Sequence, residues 1–172
     1  MSLVVRQLAR VTDAQIVELA GLLIDCVEGG ASVSFMSPLS LEKASAFWHR
    51  VAAATGRGER ALLVAEDSAG IIIGTVQLIL DLPENQPHRA DVSKMLVHRR
   101  ARRQGVGAAI LRSAEALARE LGKSLLVLDT ASAEAERLYT RLGWIRVGVV
   151  PDYALLPRGG LCATTFFYRR LT

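Results

Sequence analysis

Four residues, Arg102, Gln104, Gly105 and Gly107, lie in the run Arg-Arg-Gln-Gly-Val-Gly between a strand-like segment and an amphipathic helix. Glycines at such a junction let the backbone turn tightly, and without Cβ atoms the first amides of the helix are open to an anion. The positive end of the helix dipole favours a phosphate at the same place. The spacing therefore predicts a phosphate-binding loop, which we extend to Arg103, Val106 and Ala108.

Two common phosphate motifs do not fit these letters. A dinucleotide fingerprint needs glycine or alanine where Ile110 stands, and a nucleoside triphosphate loop needs Gly-Lys-Ser/Thr, a tripeptide that the chain lacks. The remaining pattern is Arg-x-x-Gly-x-Gly. A helix start with glycine caps and no ligand is the structural alternative.

The composition predicts one domain over residues 1–172, because 51% of the residues are hydrophobic and can form a substantial core. The net charge of +4 is concentrated at the proposed loop, in Arg99, Arg100, Arg102 and Arg103. This cluster has no interleaved aromatic residues, so we expect an anionic cofactor and no nucleic acid.

Cys26 and Cys162 show no pairing pattern, which favours a reducing compartment, and we expect a cytoplasmic protein. Ile71 to Leu80 is too short and too polar to span a membrane. The three histidines lack metal-ligand spacing, so we expect no metal.

The predicted elements run β-α-α-β-β-β-α-β-α-β-β, which indicates a mixed α/β (α+β) fold, with helices on both faces of a sheet. Alternation along residues 89–98 predicts two faces for the strand before the loop. One face would carry Asp91, Ser93, Met95 and Val97, and the other Ala90, Val92, Lys94 and Leu96. The last two strands are predicted at residues 144–150 and 162–170.

The loop pattern and the element order resemble those of the GNAT acyltransferases. The resemblance implies a central, mostly antiparallel sheet in which two parallel strands splay apart. It also implies that acetyl-CoA is the cosubstrate, with its pyrophosphate on the loop and its thioester in the opening, near the backbone of Met95, Leu96 and Val97.

Tyr139 lies in Glu-Arg-Leu-Tyr-Thr-Arg-Leu-Gly-Trp, which is similar to a second GNAT motif whose tyrosine donates a proton to the coenzyme sulfur. Asp91 and Asp129 are the candidate bases, since a carboxylate near the opening can accept the proton of an ammonium group. Each residue also has a structural alternative: Tyr139 would pack on the sheet, Asp91 would be a solvated strand residue and Asp129 would cap a helix or turn.

Four segments of the sequence resemble segments of GNAT enzymes that acetylate an amino acid-like β-lactam toxin. They are residues 28–36, 88–97, 128–130 and 146–153. This resemblance implies N-acetyl transfer to a small-molecule amine. The acceptor would lie against a rim segment that includes Gly30, Ser32, Ser34 and Phe35. The alternatives are acetylation of a protein or peptide amine, an acyl-CoA sensor without turnover and a nucleic-acid-binding module. The last strand also favours a homodimer.

Overall fold

A computed structural model describes residues 3–171 of the chain. Its elements follow the predicted order: β1 Val4–Gln7, α1 Asp13–Glu28, α2 Leu41–Gly56, β2 Arg60–Glu66, β3 Ile72–Ile79, β4 Arg89–Val97, α3 Val106–Glu120, β5 Leu125–Thr130, α4 Ala133–Arg141, β6 Ile145–Leu155 and β7 Leu161–Arg170.

Side-chain caps begin three of the four helices. Thr12 forms a capping box with Gln15 at the start of α1, Ser40 accepts from Lys43 N over 3.1 Å at α2, and Ser132 accepts from Ala135 N over 3.2 Å at α4. Each cap satisfies an amide that the helix itself leaves unpaired. Of the helices in residues 3–171, none is both long and apolar enough to cross a membrane.

The strands form one seven-stranded sheet in the order β1-β2-β3-β4-β5-β7-β6. Strands β4 and β5 pair in parallel and the other neighbours pair antiparallel. The parallel register joins residues 89–91 to residues 125–127, and beyond it the two strands separate. The mixed, mostly antiparallel sheet with splayed parallel strands is therefore confirmed.

Each face of the sheet has its own hydrophobic core. Helix α3 packs on one face, where its Ile110 and Leu111 share a hydrophobic core with Ala90, Leu126 and Phe167. Helices α1 and α2 cover the other face, with Trp48 fully buried among their residues. Helices on both faces are the predicted arrangement, and the two cores hold β4 in the middle of the sheet.

The predicted alternation along β4 is wrong because the strand contains a β-bulge. Ser93 pairs with Gln77 and Leu96 pairs with Thr75, so two residues, Lys94 and Met95, lie opposite the single residue between them on β3. Lys94 has a φ of 50°. An extra residue reverses the side-chain alternation beyond it. Ala90 and Val92 consequently share the α3 core with Met95 and Val97, whereas Leu96 lies in the α1–α2 core.

Strand β6 is longer than predicted. It continues from residue 150 to Leu155 through a shift in the pairing register between Val150 and Ala154, where Asp152 has a φ of 51°. Pro151 and Asp152 are residue types that are common in turns. Pairing with β7 continues the strand beyond this point.

Candidate active site

The splayed cleft is the opening between the end of β4 and the end of β5, and its volume is about 1110 Å³. It extends from the loop before α3 to the segment between α1 and α2. Of the predicted site residues, Asp91 and Gln104 are not among those lining it. The others all line it: Gly30, Ser32, Ser34, Phe35, Met95, Leu96, Val97, Arg102, Arg103, Gly105, Val106, Gly107, Ala108, Asp129 and Tyr139.

The predicted phosphate loop forms a glycine-capped helix start. Gly105 is the N-cap of α3, with a φ of 82°, and the hydrogen-bond ladder of the helix begins where Ala109 N donates to Gly105 O over 3.0 Å. The amides of residues 106–108 precede that first bond and have no partner within the helix. They form a place at which an anion can bind at the mouth of the cleft.

The second glycine of the loop lies in close contact with α4. A Cβ at Gly107 would lie 3.1 Å from Leu138 Cδ2, which is closer than side chains usually approach. Glycine at this position therefore lets the start of α3 lie close to α4 without displacing the Leu138 side chain. Gln104 lies outside the cleft, where its Nε2 donates to Arg100 O over 2.9 Å.

The arginine cluster divides into two groups with different partners. Arg99 pairs with Asp25 at 2.9 Å, and Arg100 pairs with Asp67 at 3.3 Å. Arg102 and Arg103 line the cleft instead. Of the four arginines of this cluster, Arg102 and Arg103 are therefore the two that can meet an anionic ligand in the cleft.

Tyr139 lies on α4 with its ring buried between two aromatic neighbours. Its centroid is 5.8 Å from that of Trp144 and 5.7 Å from that of Phe167. Burial raises the pKa of Tyr139, and the negative charge of Asp129 raises it further. The phenol is therefore held in its protonated form, which is the form that donates a proton.

Asp129 lies near the end of β5, where its Oδ2 accepts a hydrogen bond from Thr164 Oγ1 over 2.7 Å. Thr164 belongs to β7, whose residues 165–170 pair with the whole of β5. The carboxylate is oriented by this bond and lines the cleft beside Tyr139. It is placed to accept a proton from a bound ligand.

Asp91 has a different environment. It forms an ion pair with Arg89 on the same strand, and Arg89 also donates from Nε to Gln86 Oε1 over 3.0 Å. The structure thus brings Asp129 and Tyr139 to the cleft, and Asp91 to an ion pair near the start of β4.

The rim segment, residues 29–38, closes the cleft on the side of α1 and α2. Ser32 Oγ donates to Leu155 O over 3.2 Å, and Ser37 N donates to Pro157 O over 2.8 Å. Phe35 packs edge-on against Phe47 of α2 at 5.2 Å. These contacts join the rim to the hairpin between β6 and β7.

Sequence reasoning missed Lys94 as a residue of the cleft. Its Nζ donates to Ser34 Oγ over 3.0 Å and lies 5.9 Å from the centre of the Phe47 ring. Burial lowers the pKa of Lys94, and the charge of Arg60 acts in the same direction. A lysine in a central strand of the sheet was the available signal, since lysine is rarely buried unless it is paired.

Several solved structures share this fold. A ribosomal-protein-alanine N-acetyltransferase from Brucella melitensis is 22% identical, with a TM-score of 0.82 and coverage of 97% of this chain and 99% of that chain. A phosphinothricin acetyltransferase from Sinorhizobium meliloti in complex with acetyl-CoA is 20% identical, with a TM-score of 0.82 and coverage of 99% and 89%. The yncA protein of Salmonella typhimurium, solved with its cofactor acetyl-CoA, is 19% identical, with a TM-score of 0.80 and coverage of 100% and 95%.

The sequence also matches a family model, that of the acetyltransferase (GNAT) domain, over residues 58–146. This range contains β2 to β5, α3, α4 and the glycine loop. Since it spans more than half of the chain, the protein belongs to the GNAT acetyltransferase family.

Proposed function

We propose that the protein is an acetyl-CoA-dependent N-acetyltransferase that acts on a small amino acid-like amine by direct transfer in a ternary complex. The observation that carries this proposal is the splayed cleft. It has a glycine-capped helix start at one end and an oriented carboxylate and a protonated phenol along its wall.

The coenzyme fits the loop on grounds of chemistry. Acetyl-CoA carries a pyrophosphate, and the amides of residues 106–108 are donors without a partner in the helix. Arg102 and Arg103 would add positive charge beside them, and the cleft offers the pantetheine arm a path between β4 and β5. Backbone amides of residues 95–97 would polarise the thioester carbonyl.

Asp129 and Tyr139 would divide the proton transfers. Asp129 accepts the proton that the acceptor ammonium loses, and the free amine then attacks the thioester carbonyl carbon. As the C–S bond breaks, Tyr139 donates its proton to the departing sulfur. The nitrogen, which carries a positive charge after the attack, loses its second proton to Asp129, which has released the first to solvent. The phenolate regains a proton from solvent. We assign the base to Asp129 because Asp91 would first have to leave its ion pair with Arg89.

A small acceptor is supported by the rim. Hydrogen bonds from Ser32 and Ser37 join the rim to the β6–β7 hairpin, and we expect this connection to obstruct an extended peptide. The substrate class is supported by the motifs at residues 28–36 and 88–97, which resemble those of the tabtoxin resistance protein, an enzyme that acetylates a β-lactam amino acid toxin. A phosphinothricin acetyltransferase shares the fold. We therefore propose that the acceptor is an amino acid-like toxin or antimetabolite.

The test is acetyl transfer to a panel of amines. The panel holds L-amino acids, L-phosphinothricin, tabtoxinine-β-lactam and an N-terminal alanine peptide, and released thiol is measured with a chromogenic disulfide. We expect turnover with at least one free amino acid and none with the peptide. Absence of thiol release across the panel, together with no binding of acetyl-CoA in calorimetry, would reject the proposed function.

We further propose that the chain is one domain that forms a homodimer in the cytoplasm. Strand β6 is an edge of the sheet, and it exposes apolar side chains such as Val147, which is 67% exposed. An exposed apolar edge strand is a surface that a second copy can cover. Light scattering coupled to size exclusion tests the dimer, and Val147→Lys should shift it to a monomer.

A further inference from the structure

We propose that Lys94 binds the carboxylate of an amino acid-like acceptor, so that the cleft holds a zwitterion between Lys94 and Asp129. This inference rests on the proposed function and deepens it, because it assigns a carboxylate subsite to the acceptor.

The bulge in β4 is what brings Lys94 to the cleft. In a regular strand, Lys94 would lie on the same face as Val92, whose side chain packs in the α3 core. The extra residue opposite Val76 turns Lys94 towards α1 and α2, where it meets Ser34 and Phe47. The sheet thus separates the ammonium group of Lys94 from the core around α3.

The contact between Lys94 and Ser34 joins two strained residues. Lys94 has a φ of 50° and Ser34 has a φ of 76°, and the hydrogen bond between their side chains is 3.0 Å long. Non-glycine residues rarely adopt such angles, and the cost is tolerated mainly where function requires it. The strain supports a role for the pair beyond packing.

Within residues 3–171, Lys94 forms no ion pair with a carboxylate. The ion pairs there join Arg6, Arg57, Arg89, His98, Arg99, Arg100, Arg119, Arg146 and Arg169 to carboxylates, and Lys94 is not among them. Ser34 supplies a neutral oxygen only. A half-buried ammonium group with a neutral partner gains most from an anion that enters the cleft.

The opposite charge lies in the same cleft. Asp129 lines it, and its negative charge acts on both Lys94 and Tyr139. An α-amino acid carries an ammonium group and a carboxylate a few bonds apart. With the carboxylate on Lys94, we expect the ammonium group to lie towards Asp129, which is the group that must remove its proton.

The coenzyme phosphates are a less suitable partner for Lys94. They are expected at the amides of residues 106–108, which belong to the helix on the other face of the sheet. Lys94 instead contacts the rim segment and α2. Substitution of Lys94 should therefore leave the affinity for the coenzyme unchanged. This result would distinguish an acceptor carboxylate from a coenzyme phosphate as the partner of Lys94.

The test compares each L-amino acid with its α-carboxamide, which keeps the amine and lacks the negative charge. For the wild type, we expect kcat/KM to favour the acid by about tenfold or more. Lys94→Met should abolish this preference by raising KM for the acid, with little effect on the carboxamide or on acetyl-CoA affinity. Lys94→Arg should restore part of the preference. Lys94→Asn is the second neutral variant, because asparagine tolerates a positive φ.

A binding arm keeps the inference independent of turnover. Calorimetry with the same acids and carboxamides should show acid binding to the wild type that is lost in Lys94→Met. Equal use and equal binding of acids and carboxamides by the wild type would overturn the carboxylate subsite even if acetyl transfer occurs. An equal loss of binding for the acid and for the carboxamide in Lys94→Met would also overturn the carboxylate subsite. Failure of the proposed function looks different, since the wild type would then release no thiol with any acceptor.

Discussion

Thr164 donates a hydrogen bond from Oγ1 to Asp129 Oδ2 over 2.7 Å, and the two residues lie on the adjacent strands β7 and β5. The bond fixes the direction of the carboxylate at the place where β4 and β5 have separated. Asp129 therefore faces the cleft from a rigid sheet, which is the support that a proton acceptor needs.

Loss of this hydrogen bond should impair catalysis. Thr164→Val keeps the shape of the side chain but leaves Asp129 free to rotate, so we expect kcat to fall by about tenfold, and Asp129→Asn should lower it by about 10²-fold or more. Steady-state kinetics measure both effects. Thr164→Ser retains the hydroxyl and serves as the matched control. Full activity in Asp129→Asn would exclude Asp129 as the base.

Removal of the phenol proton should slow the departure of the thiolate. Tyr139→Phe keeps the ring contacts with Trp144 and Phe167, and we expect kcat to fall by about 10²-fold while acetyl-CoA binds as before. Single-turnover kinetics and calorimetry separate the two quantities. Tyr168→Phe, on β7 away from the cleft, is the control. Unchanged turnover in Tyr139→Phe would show that Tyr139 is only a packing residue.

Replacement by alanine at two glycines should change the free energy of unfolding in opposite directions. A Cβ at Gly74 would lie 2.5 Å from Ile110 Cδ1 and 3.2 Å from the carbonyl oxygen of Leu96, so Gly74→Ala should lower the free energy of unfolding by about 1–3 kcal/mol. Gly21 lies in the middle of α1 with open space around it, and Gly21→Ala should raise that free energy by about 0.5–1 kcal/mol. Urea denaturation measures both. A neutral Gly74→Ala would mean that α3 can move away from the sheet at little cost.

The link between Asp25 and Arg99 should make stability depend on pH. Burial by itself would raise the pKa of Asp25. The hydrogen bonds from Arg99, and the charges of His98 and Arg99, outweigh this effect and lower the pKa. Because the pKa is lower in the folded state, the carboxylate stabilises the fold above its unfolded pKa of about 4, and this contribution is lost as pH falls through the folded value.

We therefore expect the free energy of unfolding to fall more steeply between about pH 5 and pH 2 in the wild type than in Asp25→Asn. Denaturation at a series of pH values gives the two slopes. Glu84→Gln, at an exposed loop position, is the comparison variant and should keep the wild-type slope. Parallel slopes in the wild type and Asp25→Asn would contradict the prediction.

The local parts of the fold were predictable from the sequence. Thr12, Ser40 and Ser132 cap the helices that follow them because a cap hydrogen bond spans only a few residues. The glycines at 105 and 107 place a helix start with open amides for the same local reason. The splayed strands were predicted from the family resemblance, and the register of β4 with β5 confirms them.

The bulge at Lys94 could not be predicted, since it depends on how β4 pairs with β3. Alternation along one strand contains no information about an extra residue opposite Val76. The ion pair of Asp91 with Arg89 was also missed, although the two residues are only two positions apart, because Asp91 was predicted to lie near the opening between the parallel strands.

The sequence by itself determined the helix starts, the glycine loop and the order of the elements, because these depend on short-range hydrogen bonds and backbone conformation. Only the tertiary structure decided which charges share the cleft. Asp129, Tyr139, Ser34 and Lys94 lie on four different parts of the chain, and their meeting depends on strand register and on the bulge that turns Lys94 to the other face of the sheet.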